Sequence, residues 1–118
     1  MQLAAQILTG VVAALQLYFL VLEMFLWTTP FGRKTFARSA EEMEQTKVLA
    51  GNQGLYNGFL AAGLVWSLFD VAYPIRVFFL GCVVIAGLYG GATASKKIYF
   101  VQMLPGVLAL VASYLAVH

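Results

Sequence analysis

The 118-residue chain is poor in the groups that soluble chemistry uses, since charged side chains make up only 10% of it. With 62% of residues hydrophobic and a mean hydropathy of +0.86, it lies outside the range of soluble domains. There is one cysteine, Cys82, inside an apolar run, so no intrachain disulfide can form. The single histidine, His118, is the last residue, which excludes a histidine-based triad or metal site. No phosphate-binding loop, dinucleotide fingerprint, HExxH, cysteine pair or nucleophile elbow occurs. The formal charge of +2 is too small for nucleic-acid binding, and the seven basic residues are not arranged as a stripe. Residues Met1–Thr9 contain no lysine or arginine, and the apolar run continues to Trp27. This predicts a retained first helix in place of a signal peptide.

What the chain does contain is long apolar runs. A spanning helix needs about 20 such residues, and four fit: about 3–27, 49–69, 75–94 and 98–117. The predicted fold is all-α, a single integral membrane domain built as a four-transmembrane-helix bundle. The first span should stop at Thr28-Thr29-Pro30, because proline disfavours helix in the residue before it. The stretch from Phe31 to Lys47 is the strongly polar one and reads as the main aqueous loop. Within it, Ser39 and Glu42 have the spacing of a capping box, so helix two is predicted to start near Ala40, in water, and extend into the cytoplasm. Pro74 suits the first turn of span three. Pro105 removes the amide that would bond the Val101 carbonyl and predicts a kink in span four.

Orientation follows from the basic residues, which are retained on the cytoplasmic side during insertion. Loops one and three hold Arg33, Lys34, Arg38, Lys47, Lys96 and Lys97; the opposite side has Arg76 and the terminal amine. A multi-pass protein of the cell membrane is predicted, with loops one and three cytoplasmic and both termini outside. Asp70 and Arg76 are expected to form an interfacial pair.

Glu23 is the leading site candidate, because a carboxylate in a spanning helix is costly unless paired, protonated or hydrated. It belongs to a polar or small stripe, Gln2, Gln6, Thr9, Ala13, Gln16, Leu20, Glu23 and Trp27, at helical spacing. Helix two adds Asn52, Gln53, Tyr56 and Asn57, beside a small-residue stripe Ala50, Gly54, Gly58, Ala62. Gly87 and Gly91, with Gly90 and Ala94, repeat that spacing in span three. Tyr89 and Gln102 complete a predicted polar cluster in the cytoplasmic half. The alternative for these residues is a hydrogen-bonded network that only joins helices.

The segments Glu23-Met-Phe-Leu-Trp27, Gly32-Arg33-Lys34, Asn52-Gln-Gly-Leu-Tyr-Asn-Gly-Phe-Leu60, Gly87-Leu-Tyr-Gly90 and Val101-Gln102 resemble the family known as domain of unknown function 1304. That resemblance implies a small four-helix membrane protein without an assigned activity. An architectural similarity also runs to the membrane-associated eicosanoid and glutathione metabolism proteins, which are trimers with cytoplasm-facing sites. Their Arg-x-x-Asn-x-x-Glu pattern is not reproduced around Asn52, so only the layout of a site is implied. The expected partners are the lipid bilayer, a second or third copy of the chain, and a small-molecule ligand bound by Glu23, Asn52, Gln53, Tyr56, Asn57, Tyr89 and Gln102. Glu23 is the candidate catalytic group, and no metal site or cofactor is indicated. Two other functions remain open: a small transporter or channel component, with Glu23 as its proton or cation site, and an accessory subunit that offers its small-residue faces to a larger partner.

Overall fold

A computed structural model describes residues 2–70 and 73–118, without the Asp70 side chain. Among these residues the chain is all-α: α1 (Gln2–Met24), α2 (Pro30–Phe36), α3 (Ala40–Asp70), α4 (Tyr73–Thr93) and α5 (Leu104–Val117), the last entered through a π-helical turn, Tyr99–Met103. Three helices are long and apolar enough to cross a membrane: Gln2–Met24, Tyr73–Thr93 and Tyr99–Val117. At 31 residues α3 is the longest. Asn52, Gln53 and Asn57 interrupt its apolar run, so length alone qualifies it.

The chain forms two compact units. The first comprises Met1–Leu15 and Leu60–His118. Its core joins Val12, Ala13, Leu64, Leu80, Val83 and Ala109, with Leu8, Leu60, Phe79 and Leu110 packed against them. Gly87 decides the approach of α4 to the π turn, since a Cβ there would lie 2.9 Å from the Met103 backbone. Gly91 faces the Tyr99 ring and Gly90 the Ile98 side chain. The predicted small-residue face of this helix therefore packs within the chain.

At Pro105, where the sequence predicts a kink, the structure shows a change of winding. Leu104 N–H donates to the Tyr99 carbonyl, five residues back, so the turn before Pro105 is widened to the π spacing that absorbs a lost α-helical bond. Arg76 is 4% exposed and donates to the Ser67 carbonyl at 3.4 Å. The predicted Asp70–Arg76 pair lies outside the described residues.

The second unit is Gln16–Phe59. Here α1 stops at Met24, three residues short of the predicted end. Leu26 N–H reaches back to the Val21 carbonyl at 3.1 Å, and the Leu26 carbonyl is taken by Thr29 through its hydroxyl at 2.6 Å and its amide at 3.2 Å. The segment expected to be a plain loop contains α2. Thr29 caps it, its hydroxyl accepting from Gly32 N–H at 3.2 Å, and Pro30 follows in the first turn. Ala37, at φ +54°, closes it in the left-handed conformation usually given to glycine.

The start of α3 is as predicted. Glu42 N–H donates to Ser39 Oγ at 3.1 Å, and Ser39 N–H to Glu42 Oε1 at 3.4 Å, the reciprocal pair of a capping box. These bonds hold the Glu42 carboxyl below its ordinary value, Arg38 at 3.4 Å adding to the effect. A depressed folded-state value means that the contribution is present above the unfolded carboxyl value of about 4.3 and is lost as pH falls through the folded one. Replacing Ser39 by alanine should therefore lower the melting temperature at neutral pH, a serine cap being worth about 1 kcal/mol. The difference between wild type and S39A should shrink between about pH 5 and pH 3; thermal unfolding followed by circular dichroism across that range measures it, and a constant difference would contradict the linkage.

Candidate functional site

The second unit places Glu23 against α3. Residues Glu23 and Asn57 lie 34 positions apart in sequence, yet Asn57 Nδ2 donates to Glu23 Oε1 at 2.6 Å. The contact depends on glycine. A Cβ on Gly54 would come 2.5 Å from Met24 Cγ and 3.2 Å from both Glu23 Cβ and the Leu20 carbonyl, and one on Gly58 would come 2.8 Å from Leu20 Cδ1. Gly54 and Gly58 thus form the face that receives α1, as small residues do where helices approach closely. Ala62, the last of the predicted stripe, is exposed.

Glu23 also forms part of the wall of two neighbouring clefts. One, of about 270 Å³, is lined by Glu23, Met24, Phe25, Trp27, Thr28, Lys47 and Val48. The other, of about 230 Å³, is lined by Glu23, Trp27, Arg38, Thr46, Leu49, Ala50 and Gln53. Trp27 is fixed between them: its indole N–H donates to Thr46 Oγ1 at 3.0 Å, and its ring packs against Phe36 of α2 at a centroid distance of 4.8 Å. Each cleft accordingly contains the carboxylate, one cation and the edge of the same indole. Lys47 is paired with Glu44, and Arg38 with Glu42. Both pairs are solvent-exposed and weakly held, so either cation can turn to a ligand.

Of the predicted site residues, the fold brings Glu23, Gln53 and Asn57 together. Asn52 and Tyr56 are exposed on α3, and Tyr56 meets Phe59 edge-on at 6.0 Å. Tyr89 and Gln102 belong to the first unit. Tyr89 is 73% exposed, and Gln102 donates to the Val83 carbonyl of α4 at 3.4 Å. The sequence reading passed over Thr28, Thr46 and Lys47 as lining groups. The signal for Thr46 and Lys47 was their position one turn before Ala50 on the helix that carries Asn57.

The fully buried polar residues form a different set: Thr9, Gln16, Ser67, Arg76 and Ser113. Of these, Thr9 Oγ1, both Gln16 amide atoms, Arg76 Nε and Ser113 Oγ have no hydrogen-bond partner among the described residues. Four of the five belong to the first unit, whereas the predicted cluster centred on Glu23. Burial of polar groups thus does not follow the predicted cluster.

The Glu23–Asn57 bond should behave as a coupled pair. Replacing Asn57 by leucine removes the donor from a half-buried carboxylate and should cost about 1–3 kcal/mol, while the same change beside Glu23→Leu should cost much less. Reversible unfolding of the four proteins in mild detergent completes this double-mutant cycle; strictly additive losses would show that the bond contributes nothing.

The chain is 32% identical over 112 residues to the uncharacterized protein YpaA of Lactococcus lactis subsp. lactis (strain IL1403), covering 92% of this chain and 94% of that protein. No solved structure matches it. The family model described as protein of unknown function (DUF1304) matches residues 10–114, a stretch that includes Glu23, Trp27 and Asn57, and the chain belongs to that family.

Proposed function

We propose that the protein is a multi-pass protein of the cell membrane with a small-molecule site centred on Glu23 and Asn57. The observation that carries the reading is the position of Glu23, bonded to Asn57 and forming part of the wall of both clefts. An ionisable group inside an apolar segment is expensive and marks function more often than packing. Lys47, Arg38 and Trp27 supply what a polar ligand with an apolar part needs.

In this reading α3 is the second of four spans. At 31 residues it is about 46 Å long, enough to cross about 30 Å of hydrocarbon and still extend into water at its capped end. Its crossing puts six of the seven basic residues on one side, which the positive-inside rule assigns to the cytoplasm. Loops one and three, and the clefts beside loop one, then face the cytoplasm, with both termini outside. A spanning α3 also presents Asn52 and Tyr56 on its outer surface. Uncovered amides in lipid cost a few kcal/mol each, and amides both donate and accept, so a second copy of the chain covers this face in a homo-oligomer, a dimer or trimer.

A second reading, transport of a proton or cation, draws on Gln16. It is fully buried with both amide atoms unpartnered, seven residues from Glu23 on the same face of α1. The accessory-subunit reading loses much of its motive, because Gly54 and Gly58, the middle of the small-residue stripe, already face α1.

Native mass spectrometry of the protein extracted in mild detergent tests the main reading. It should show an oligomer carrying a small bound mass that the Glu23→Gln variant fails to retain while folding normally. An unliganded wild type, or a variant with the same bound mass, would refute it. Proteoliposomes that accumulate protons or monovalent cations only when Glu23 and Gln16 are both present would move the assignment to transport.

A further inference from the structure

The larger cleft has a feature that the small-molecule reading leaves unexplained. Its apolar lining is turned outward: Met24 is 40% exposed, Phe25 69% and Val48 73%. A pocket for a water-soluble metabolite encloses its ligand in apolar walls. Here the apolar walls open onto the surface, and polar groups occupy the remaining side. Lys47 stands at the junction, the last basic residue before the apolar run that begins at Val48. Trp27, at the end of α1, is the residue type that settles at a membrane–water boundary.

The polar groups have a defined order of charge. Glu23 has one carboxylate oxygen engaged by Asn57; the other accepts no hydrogen bond among the described residues. It can receive an N–H donor. Lys47 offers a compact positive charge suited to a phosphate. A ligand matching both carries an ammonium and an anion a few atoms apart, joined to an apolar body that the open wall accommodates. Trp27 does not turn this into a cage for a quaternary ammonium. Phe36 packs against its ring, and Phe25 is too exposed to enclose a cation.

We infer that the cleft walled by Glu23, Trp27, Thr28, Lys47 and Val48 takes the headgroup of an amine-bearing phospholipid from the surrounding bilayer, its ammonium at Glu23 and its phosphate at Lys47. This deepens the small-molecule site proposed above and rests on it. The ligand enters sideways along Met24, Phe25 and Val48, with its acyl chains left in the membrane.

The test uses the full chain in lipid-free detergent. Phosphatidylethanolamine, phosphatidylcholine, phosphatidylglycerol and soluble phosphoethanolamine are titrated in turn, and retained mass is read by native mass spectrometry. Phosphatidylethanolamine should bind at least about tenfold more tightly than the other three, since phosphatidylcholine and phosphatidylglycerol lack the primary ammonium and soluble phosphoethanolamine lacks the acyl chains. Glu23→Gln and Lys47→Gln should each weaken it about tenfold, while Lys96→Gln, in loop three, should leave it unchanged; circular dichroism confirms that each variant is folded. Equal binding of phosphatidylethanolamine and phosphatidylcholine would overturn the headgroup assignment. Equal binding of soluble phosphoethanolamine would overturn the bilayer source and leave the Glu23 site standing. Retention of an unrelated small molecule that Glu23→Gln abolishes, with no preference among lipids, would likewise sink this inference and keep the broader one. Indifference of every ligand to Glu23→Gln would remove both.

Discussion

Two helices can share a carboxylate in an apolar setting only if their backbones come close enough for a short side chain to reach across. In the second unit that closeness is set by Gly54 and Gly58, which leave room for Leu20, Met24 and the Glu23 Cβ where any larger residue would push α1 away. The 2.6 Å bond from Asn57 to Glu23 follows from the approach and does not cause it. Everything near Glu23 inherits the same geometry. The two clefts share a wall because α1 ends within a turn of its closest contact with α3. Trp27 can reach Thr46 because the chain leaves the helix at that point. Glycine in a helix weakens it by roughly 0.5–1 kcal/mol relative to alanine, a cost offset by the contacts that the approach permits.

The same logic operates in the first unit with a different outcome. Gly87, Gly90 and Gly91 draw α4 against the π turn, and the space they release is filled by Met103, Tyr99 and Ile98. The packing brings in no carboxylate or cation among these residues, and Gln102 finishes on a backbone carbonyl of α4. Close packing of small residues is therefore general to this chain. In the second unit the same packing brings a carboxylate beside cations and an open apolar wall.

Much of this was legible in the order of residues, and what escaped has physical reasons. The Ser39–Glu42 capping box located the start of α3 because its bonds are local, requiring only a spacing of three. Pro74 and Pro105 were readable for the same reason, each acting on its own helix. The short α2 was not, because its stability depends on Thr29 acting in two turns at once and on Trp27 meeting Phe36 after the chain has reversed. The facing of polar side chains was only half legible. Glu23 and Asn57 sit on faces that the stripe of α1 and the glycines of α3 turn toward each other, whereas Asn52 and Tyr56, one to five residues away on α3, turn outward. A helical wheel gives the angle between residues but not which neighbour covers each angle. Burial of Thr9, Ser67 and Ser113 likewise depends on contacts between distant segments.

Loop one also determines how the clefts meet their surroundings. It is held at its entry by Thr29 bridging Leu26 and Gly32, and at its exit by the left-handed turn at Ala37 and the reciprocal bonds of Ser39 and Glu42. Between these points the Trp27 indole is tied to Thr46 and packed on Phe36. A connection fastened in this way has little conformational freedom to lose when something binds beside it, so the entropy of ordering a loop is absent from the binding free energy. A ligand bound at the proposed site would then be selected by the fit of its charge and shape against walls already in place.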